Sequence, residues 1–396
     1  MMIIPKNIVN YLHLKDVGGL ELTFGMVPIL SGYTFIGKPL SLLMWLLLIG
    51  IVLLQGKLRG LKFYVPLLLF VFYWFIHQVM ISFADDLNIN GFLAQFIYFL
   101  SVFTLYPVLN LEKLKGSLNW VALLSMGGLL YQWTFILRGQ AVHPIELPGF
   151  TLSNFILEKM IMRPSSFFME PSSYAAFMIC PLALSLIERK YVWAVAIILS
   201  ICLTTSTTGL VLSFVLLGAS LFIQKKFKIK TSLGLLIIGG GLFFALTHFD
   251  VFEAGVEKFE NTDASTNVRL SQGPYIVSTM YPSEWLFGVP YSTPYNYCIS
   301  GRAPDVIYYG DSVYMSTFWQ MILLFGIVGL LLYLNIYLQV LKSNRMTLPL
   351  ILALCAVLFS SGYFIGGDYV FTLIILLVVA RNISDTDGNK KMMARI

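Results

Sequence analysis

Apolar residues in this 396-residue chain gather into long runs separated by short polar connectors. The runs lie at about 21–36, 39–54, 63–82, 92–109, 118–137, 168–187, 191–205, 208–223, 231–249, 312–340, 346–362 and 364–380. Many approach the ~20 apolar residues a helix needs to cross a bilayer. In lipid the backbone must satisfy its own hydrogen bonds, so runs of this length predict helices. The pattern predicts an all-α, polytopic integral membrane protein of about twelve transmembrane helices, with 1–396 as a single membrane domain. The first run is weak, because Gly25, Pro28 and Gly32 interrupt it. The seventh and eighth are short and meet at Thr204–Gly209. Two connectors are long, 138–167 and 250–311, and no internal repeat stands out.

Composition narrows the class. The chain is 58% hydrophobic and 12% charged, against about 25% charged in a soluble domain. An ordinary soluble protein and a disordered chain are excluded. Four cysteines, at 180, 202, 298 and 355, form no CxxC or Cys/His cluster, so neither a metal site nor a disulfide framework is expected. Residues 1–20 carry Lys6, Lys15 and Asp16 and lack the apolar core of a signal peptide.

Charge sets the orientation. With both termini inside, 19 of the 26 basic residues fall on the inner side and 14 of the 20 acidic residues on the outer side. Positive charge prefers the inner face, which accounts for the net +6 without a nucleic-acid partner. Both long connectors then face outward, and 381–396 is an inner, cytoplasmic tail. The middles of the runs hold no Asp, Glu, Lys or Arg, which suits a coupled transporter poorly. His77, His248 and Asp368 sit at outer ends, so the polar chemistry concentrates at that boundary.

Four outer constellations carry candidate chemistry. In Arg163-Pro-Ser-Ser-Phe-Phe-Met-Glu170-Pro171-Ser-Ser-Tyr174, Pro171 fits the first helical position and Glu170 the cap before it. Arg163 either snorkels, pairs with Glu170, or grips a phosphate through its planar fork. The hydroxyls of Thr204-Thr-Ser-Thr-Thr208-Gly209 either satisfy a helix break or touch a sugar or phosphate. The loop 250–311 carries Arg269 and Arg302. Its aromatic stretch includes Tyr275, Trp285 and, just beyond, Tyr314, rings suited to an interfacial belt or to stacking on sugars. Asp311 opens the tenth run, which is long enough to raise its first turns above the membrane. Gly326 and Gly329 allow close helix packing there.

Together these motifs resemble the Wzy-type O-antigen polymerases. The resemblance rests on an outer Arg followed by Phe-Met-Glu-Pro-Ser opening a span, and on the Ser/Thr-rich break ending in Gly. It rests too on a long outer loop with a central Arg, and on Asp311-Ser-Val-Tyr leading to Gly326. O-antigen ligases share the wider, GT-C-like fold, but the His that ends their last large loop is replaced by Asp311-Ser312 here.

The resemblance implies a metal- and cofactor-independent glycosyltransferase of the bacterial inner membrane whose active site faces the periplasm. Its substrates would be undecaprenyl-diphosphate-linked oligosaccharides. A chain-length-determining co-polymerase is the implied protein partner. Arg163, Arg269 and Arg302 would bind diphosphate, and Asp311 or Glu170 would serve as base. Tyr174, Tyr275, Trp285 and Tyr314 would hold the sugar. A ligase and a lipid-linked oligosaccharide flippase are the competing expectations.

Overall fold

A computed structural model describes residues 10–56, 64–84, 88–153, 163–223, 272–303, 315–343, 347–360 and 366–393. The first apolar run departs from expectation. It forms a short helix α1 (Gly19–Met26), a 3-10 turn (Ile29–Gly32) and a strand β1 (Tyr33–Phe35). Pro28 has no N–H to continue a helical ladder, and the exposed peptide groups find partners elsewhere. β1 pairs antiparallel with β2 (Lys38–Pro39) and with β3 (Thr151–Leu152), in the order β2-β1-β3. Ser153 N–H adds a bond to the Gly32 carbonyl (3.0 Å). The Tyr33 hydroxyl donates to the Ile145 carbonyl (2.6 Å). Among the described residues this small sheet is the exception to a mostly helical pattern, and it ties the 138–153 connector to the N-terminal part.

The other runs within the described residues become helices. In order they are α2 (Leu40–Leu54), α3 (Val65–Ala84), α4 (Ile89–Leu105), α5 (Leu111–Ile136), α6 (Pro171–Ile187), α7 (Tyr191–Leu203) and α8 (Thr207–Ile223). Three short helices follow, α9 (Gly273–Ser278), α10 (Pro282–Phe287) and α11 (Pro294–Tyr297), and then a π-turn, Cys298–Arg302. The last three are α12 (Thr317–Ser343), α13 (Leu348–Ser360) and α14 (Gly367–Met393). α14 runs past the expected end at 380. The expected ninth span, 231–249, lies outside the described residues. Among the described residues, Val65–Phe83 and Thr317–Ser343 are long and apolar enough to cross a membrane. Leu40–Leu54, Ile89–Leu105, Pro171–Ile187 and Tyr191–Leu203 are apolar but shorter.

Side chains set the helix starts. The Asn110 amide oxygen accepts the N–H groups of Glu112 (3.0 Å) and Lys113 (3.2 Å), so α5 begins on an Asn cap. Pro171 opens α6 as expected. The interior is tightly interlocked: Phe24 stacks on Phe371 at 4.7 Å, and Trp74 on Phe92 at 5.3 Å. α3, in contrast, leaves Phe72, Phe75, Val79 and Phe83 uncovered along its length.

Segments assigned to the inner side meet one another. Lys115 and Lys190 each place an ammonium 2.6 Å from a Glu188 oxygen, and Lys115 also reaches Glu112 at 2.8 Å. His13 lies 3.6–3.9 Å from Asp16, Glu112 and Glu188. Arg381 donates to the carbonyls of Tyr106 and Leu109, both at 2.6 Å. Toward its other end, Gly128 and Gln132 of α5 meet His143, Ile145, Ser165, Ser166 and Phe167, in the connector assigned to the outside.

α12 is interrupted within its length. Gly326 adopts φ 64°, ψ −173°, and breaks the helix. The break fits a turn after α10, where Gly288 has φ 87°. A Cβ on Gly326 would collide with the Leu286 carbonyl, and one on Gly288 with the Leu324 carbonyl. Groups freed by the break find new partners: Val289 N–H donates to Leu323 O (2.9 Å), and the Tyr73 hydroxyl reaches Phe325 O and Phe287 O, both at 2.9 Å. His77 Nε2 bonds the Val289 carbonyl (3.0 Å), and its ring packs against Phe325 at 4.7 Å. Irregular backbone of this kind is tolerated at membrane depth only when protein covers it.

Candidate functional site

Two adjacent residues at the outer end of α5 organise the site. Gln132 is fully buried. Its Oε1 accepts the N–H groups of Ser165 (2.9 Å) and Ser166 (2.7 Å), and its Nε2 donates to the His143 carbonyl (3.1 Å). One side chain thus pins both sides of the connector. Trp133 donates its indole N–H to Leu203 O (2.9 Å), the last residue of α7. The strand of chain that precedes α6 and the turn between α7 and α8 are therefore held against one helix. Arg163 spans them: its Nη1 lies 3.5 Å from the Thr205 carbonyl.

The backbone on both sides is strained. Ser166 has φ 58° and Thr205 φ 57°, in the left-handed region that side chains avoid. Such conformations cost roughly 1–3 kcal/mol each and cluster at functional sites. Gly128 makes room on α5, because a Cβ there would meet the Ser166 hydroxyl and the Phe167 ring. Gly209 does the same in the first turn of α8, where a Cβ would lie 2.5 Å from that of Ala175 on α6. The N-terminal turns of α6 and α8 consequently pack side by side. Each presents a partial positive charge.

Acidic groups balance this. Glu170 stands at the cap position of α6, where its carboxylate accepts from the Ser172 hydroxyl rather than from a helical N–H. Burial pulls the Arg163 pKa below its ordinary value, and the Glu170 charge pulls it partly back. Asp368, in the first turn of α14, is within electrostatic reach of Glu170. The region thus holds a half-buried guanidinium and two helix N-termini, next to two carboxylates. It can bind an anion and accept a proton within one neighbourhood.

Of the expected residues, Arg163 and Glu170 come together. Arg269, Asp311 and Tyr314 lie outside the described residues. Arg302 lies elsewhere: its guanidinium forms a bidentate pair with Glu284 (2.8 and 3.2 Å) and sits over the Tyr281 ring at 4.0 Å. These partners close α10 and α11 into one unit and leave its fork committed. Tyr174 is fully buried and lies edge-on to Phe168. Tyr275 and Trp285 are half-buried against the core.

Gln132, Trp133, Ser166 and Asp368 were missed as parts of the site. An amide in an otherwise apolar turn was the available signal for Gln132. At the opposite end, His13, Glu112 and Glu188 place possible metal-ligand atoms within 4.8 Å of one another. Ammonium groups occupy both Glu188 oxygens, so this cluster is an ion-pair network. Neither a protein-family model nor a characterised protein matches the chain.

Proposed function

We propose that the chain is a polysaccharide polymerase of the bacterial inner membrane. It transfers a growing glycan from undecaprenyl diphosphate to a new undecaprenyl-diphosphate-linked repeat unit on the outer, periplasmic face. The observation that carries this reading is Arg163, half-buried beside two helix N-termini and bonded to Thr205, between chain segments that Gln132 and Trp133 pin to α5.

The chemistry follows from the leaving group. An acceptor hydroxyl oxygen bonds the anomeric carbon, and the glycosidic bond to diphosphate breaks with its electron pair leaving on the phosphate oxygen. The hydroxyl proton passes to a carboxylate, Glu170 or Asp311. Negative charge grows on the diphosphate as the bond breaks, so a preorganised guanidinium favours the transition state over the ground state. Arg269 is the second cation of this proposal. Arg302 serves instead as the clasp of the aromatic loop, whose Tyr275 and Trp285 border the saccharide path.

The uncovered aromatic face of α3 suits contact with lipid. The segregation of inner and outer segments to opposite ends of α5 supports the twelve-span arrangement with both termini in the cytoplasm. A chain-length-determining co-polymerase completes the proposal.

In membranes supplied with a lipid-linked repeat unit, Arg163→Ala should abolish chain extension at normal protein level. Arg163→Lys should recover only part of it, because an ammonium lacks the fork. Long polymer from Arg163→Ala would remove the diphosphate role. Transfer of finished polymer to lipid A core, or translocation without extension, would instead indicate a ligase or a flippase.

A further inference from the structure

The segment 272–303 reaches far down two helices. Among the described residues, α3 and α12 hold the stretches long and apolar enough to cross a membrane. Lys62 and Asp85 bracket α3 in the sequence with no Asp, Glu, Lys or Arg between them, and Tyr73 lies at the middle of that interval. Asp311 and Lys342 bracket α12 in the same way, and Gly326 lies at the middle of theirs. At 1.5 Å per residue each midpoint is about 16 Å or more from the nearest charge. Half of the hydrocarbon core is about 15 Å.

Both midpoints meet this segment. The Tyr73 hydroxyl donates to the Phe287 carbonyl (2.9 Å), and Gly326 packs against the Leu286 carbonyl and Gly288. The chain descends to that level and turns back. Gly273 packs on Trp319, near the start of α12, and Val289 N–H reaches Leu323 O on the return. The hydroxyls of Thr279 and Tyr297, 2.9 Å apart, join the two limbs.

Charge and hydrogen bonding suit this depth. From 270 to 303 the sequence carries two charged residues, Glu284 and Arg302, and they neutralise each other in one bidentate pair. Charges within a membrane are costly unless paired. The backbone at the turn is satisfied as well: Gly288 N–H donates to Glu284 O (2.7 Å), and Tyr73 and His77 bond the carbonyls of Phe287 and Val289. Such pairing is what irregular backbone needs in lipid. What stays uncovered is apolar. Leu286 and Phe287 are exposed, and so are Phe72, Phe75 and Ile76 around Tyr73.

We propose that 272–303 is a re-entrant segment whose tip, Leu286–Val289, lies in the hydrocarbon near the middle of the bilayer, with the Leu286 and Phe287 side chains against lipid acyl chains. Continuity with the uncovered face of α3 names the occupant, because the lipid that covers Phe72 and Phe75 meets Phe287 too. The inference rests on α3 and α12 crossing the membrane and needs no part of the glycan chemistry.

The test uses the full chain in nanodiscs of unsaturated phosphatidylcholine. Leu286→Cys, Phe287→Cys, Phe72→Cys and Gln140→Cys each carry a nitroxide label. Unsubstituted protein treated alike gives the background of the four native cysteines. Collision with oxygen, which concentrates in hydrocarbon, is compared with collision with a water-soluble nickel chelate. Phe72 is the reference for lipid, and Gln140, exposed in the 138–153 connector, the reference for water. The oxygen-to-nickel ratio at Leu286→Cys and Phe287→Cys should match that at Phe72→Cys and exceed that at Gln140→Cys. Should one of the pair fail to fold, the other decides.

A ratio at the tip equal to that at Gln140, with a high ratio at Phe72, overturns the re-entrant depth and leaves the spans standing. Weak collision with both reagents means that protein, such as a second copy of the chain, covers the tip; that overturns the lipid contact. A low ratio at Phe72 as well removes the α3 span and the inference together. Chain extension by the Arg163 variants is read separately, so failure of the polymerase reading leaves the tip in lipid.

Discussion

At the scale of single residues, the site depends on an amide. Gln132 accepts two buried N–H groups with one oxygen, and no other residue type of that length keeps both the acceptor and the donor to His143. Gln132→Leu should leave the Ser165 and Ser166 N–H groups unpaired. It should cost about 1–3 kcal/mol per group and disable extension along with Arg163→Ala. Gln132→Glu retains the acceptor and should melt closer to the wild type; thermal unfolding in detergent separates the two. Arg163 was legible beforehand, because a cation on a predominantly acidic outer side, a few residues before Glu170, demands a reason. Gln132 was not, since its meaning comes from Ser165 and Ser166, which only folding brings opposite it. The Arg302–Glu284 pair was hidden for a related cause: the two residues lie a loop apart in sequence.

At the scale of elements, helices were readable and interruptions were not. The apolar runs mark α2 to α8 well because period and length are local. β1 and β3 are three and two residues long and far apart in sequence, so nothing local announces them. The pairing is testable: Thr34 and Thr151 are partners in register, so the double variant Thr34→Cys/Thr151→Cys should cross-link on mild oxidation. Failure to cross-link would argue against the sheet. The α12 break was read as a packing motif because Gly-x-x-Gly serves that purpose too. Its real requirement lies in Leu286 and Gly288. Gly326→Ala combines a backbone collision with a left-handed φ, so it should lose about 2 kcal/mol or more. Gly50→Ala, with open space around it, should be neutral or gain up to about 1 kcal/mol. Paired melting curves check this.

At the scale of the whole molecule, charge distribution was the most legible property, since the partition of Lys and Arg needs no tertiary contact to be read. Cysteine labelling tests it. Lys38→Cys should react with an impermeant maleimide in intact spheroplasts, and Glu112→Cys only after permeabilisation; the reverse order would invert the molecule. The ion-pair network at the inner end also sets a pH response. Burial opposes the Glu188 charge, but the Lys115 and Lys190 ammoniums outweigh it and hold its pKa below the ordinary 4.5. A depressed carboxyl contributes its stability above the ordinary value and loses it as pH falls through the folded one. Thermal stability should therefore drop below about pH 4.5, and Glu188→Gln should flatten that drop.

The interlock at Gly326 has one more result. Leu323–Gly326, Leu286–Val289 and Tyr73 complete each other's hydrogen bonds, so none can be exchanged alone. A chimera that transplants the aromatic loop from a protein with a different sugar preference should assemble only when the graft carries matching pieces of all three segments. Donor loops taken without them should yield protein that is degraded rather than protein with altered specificity.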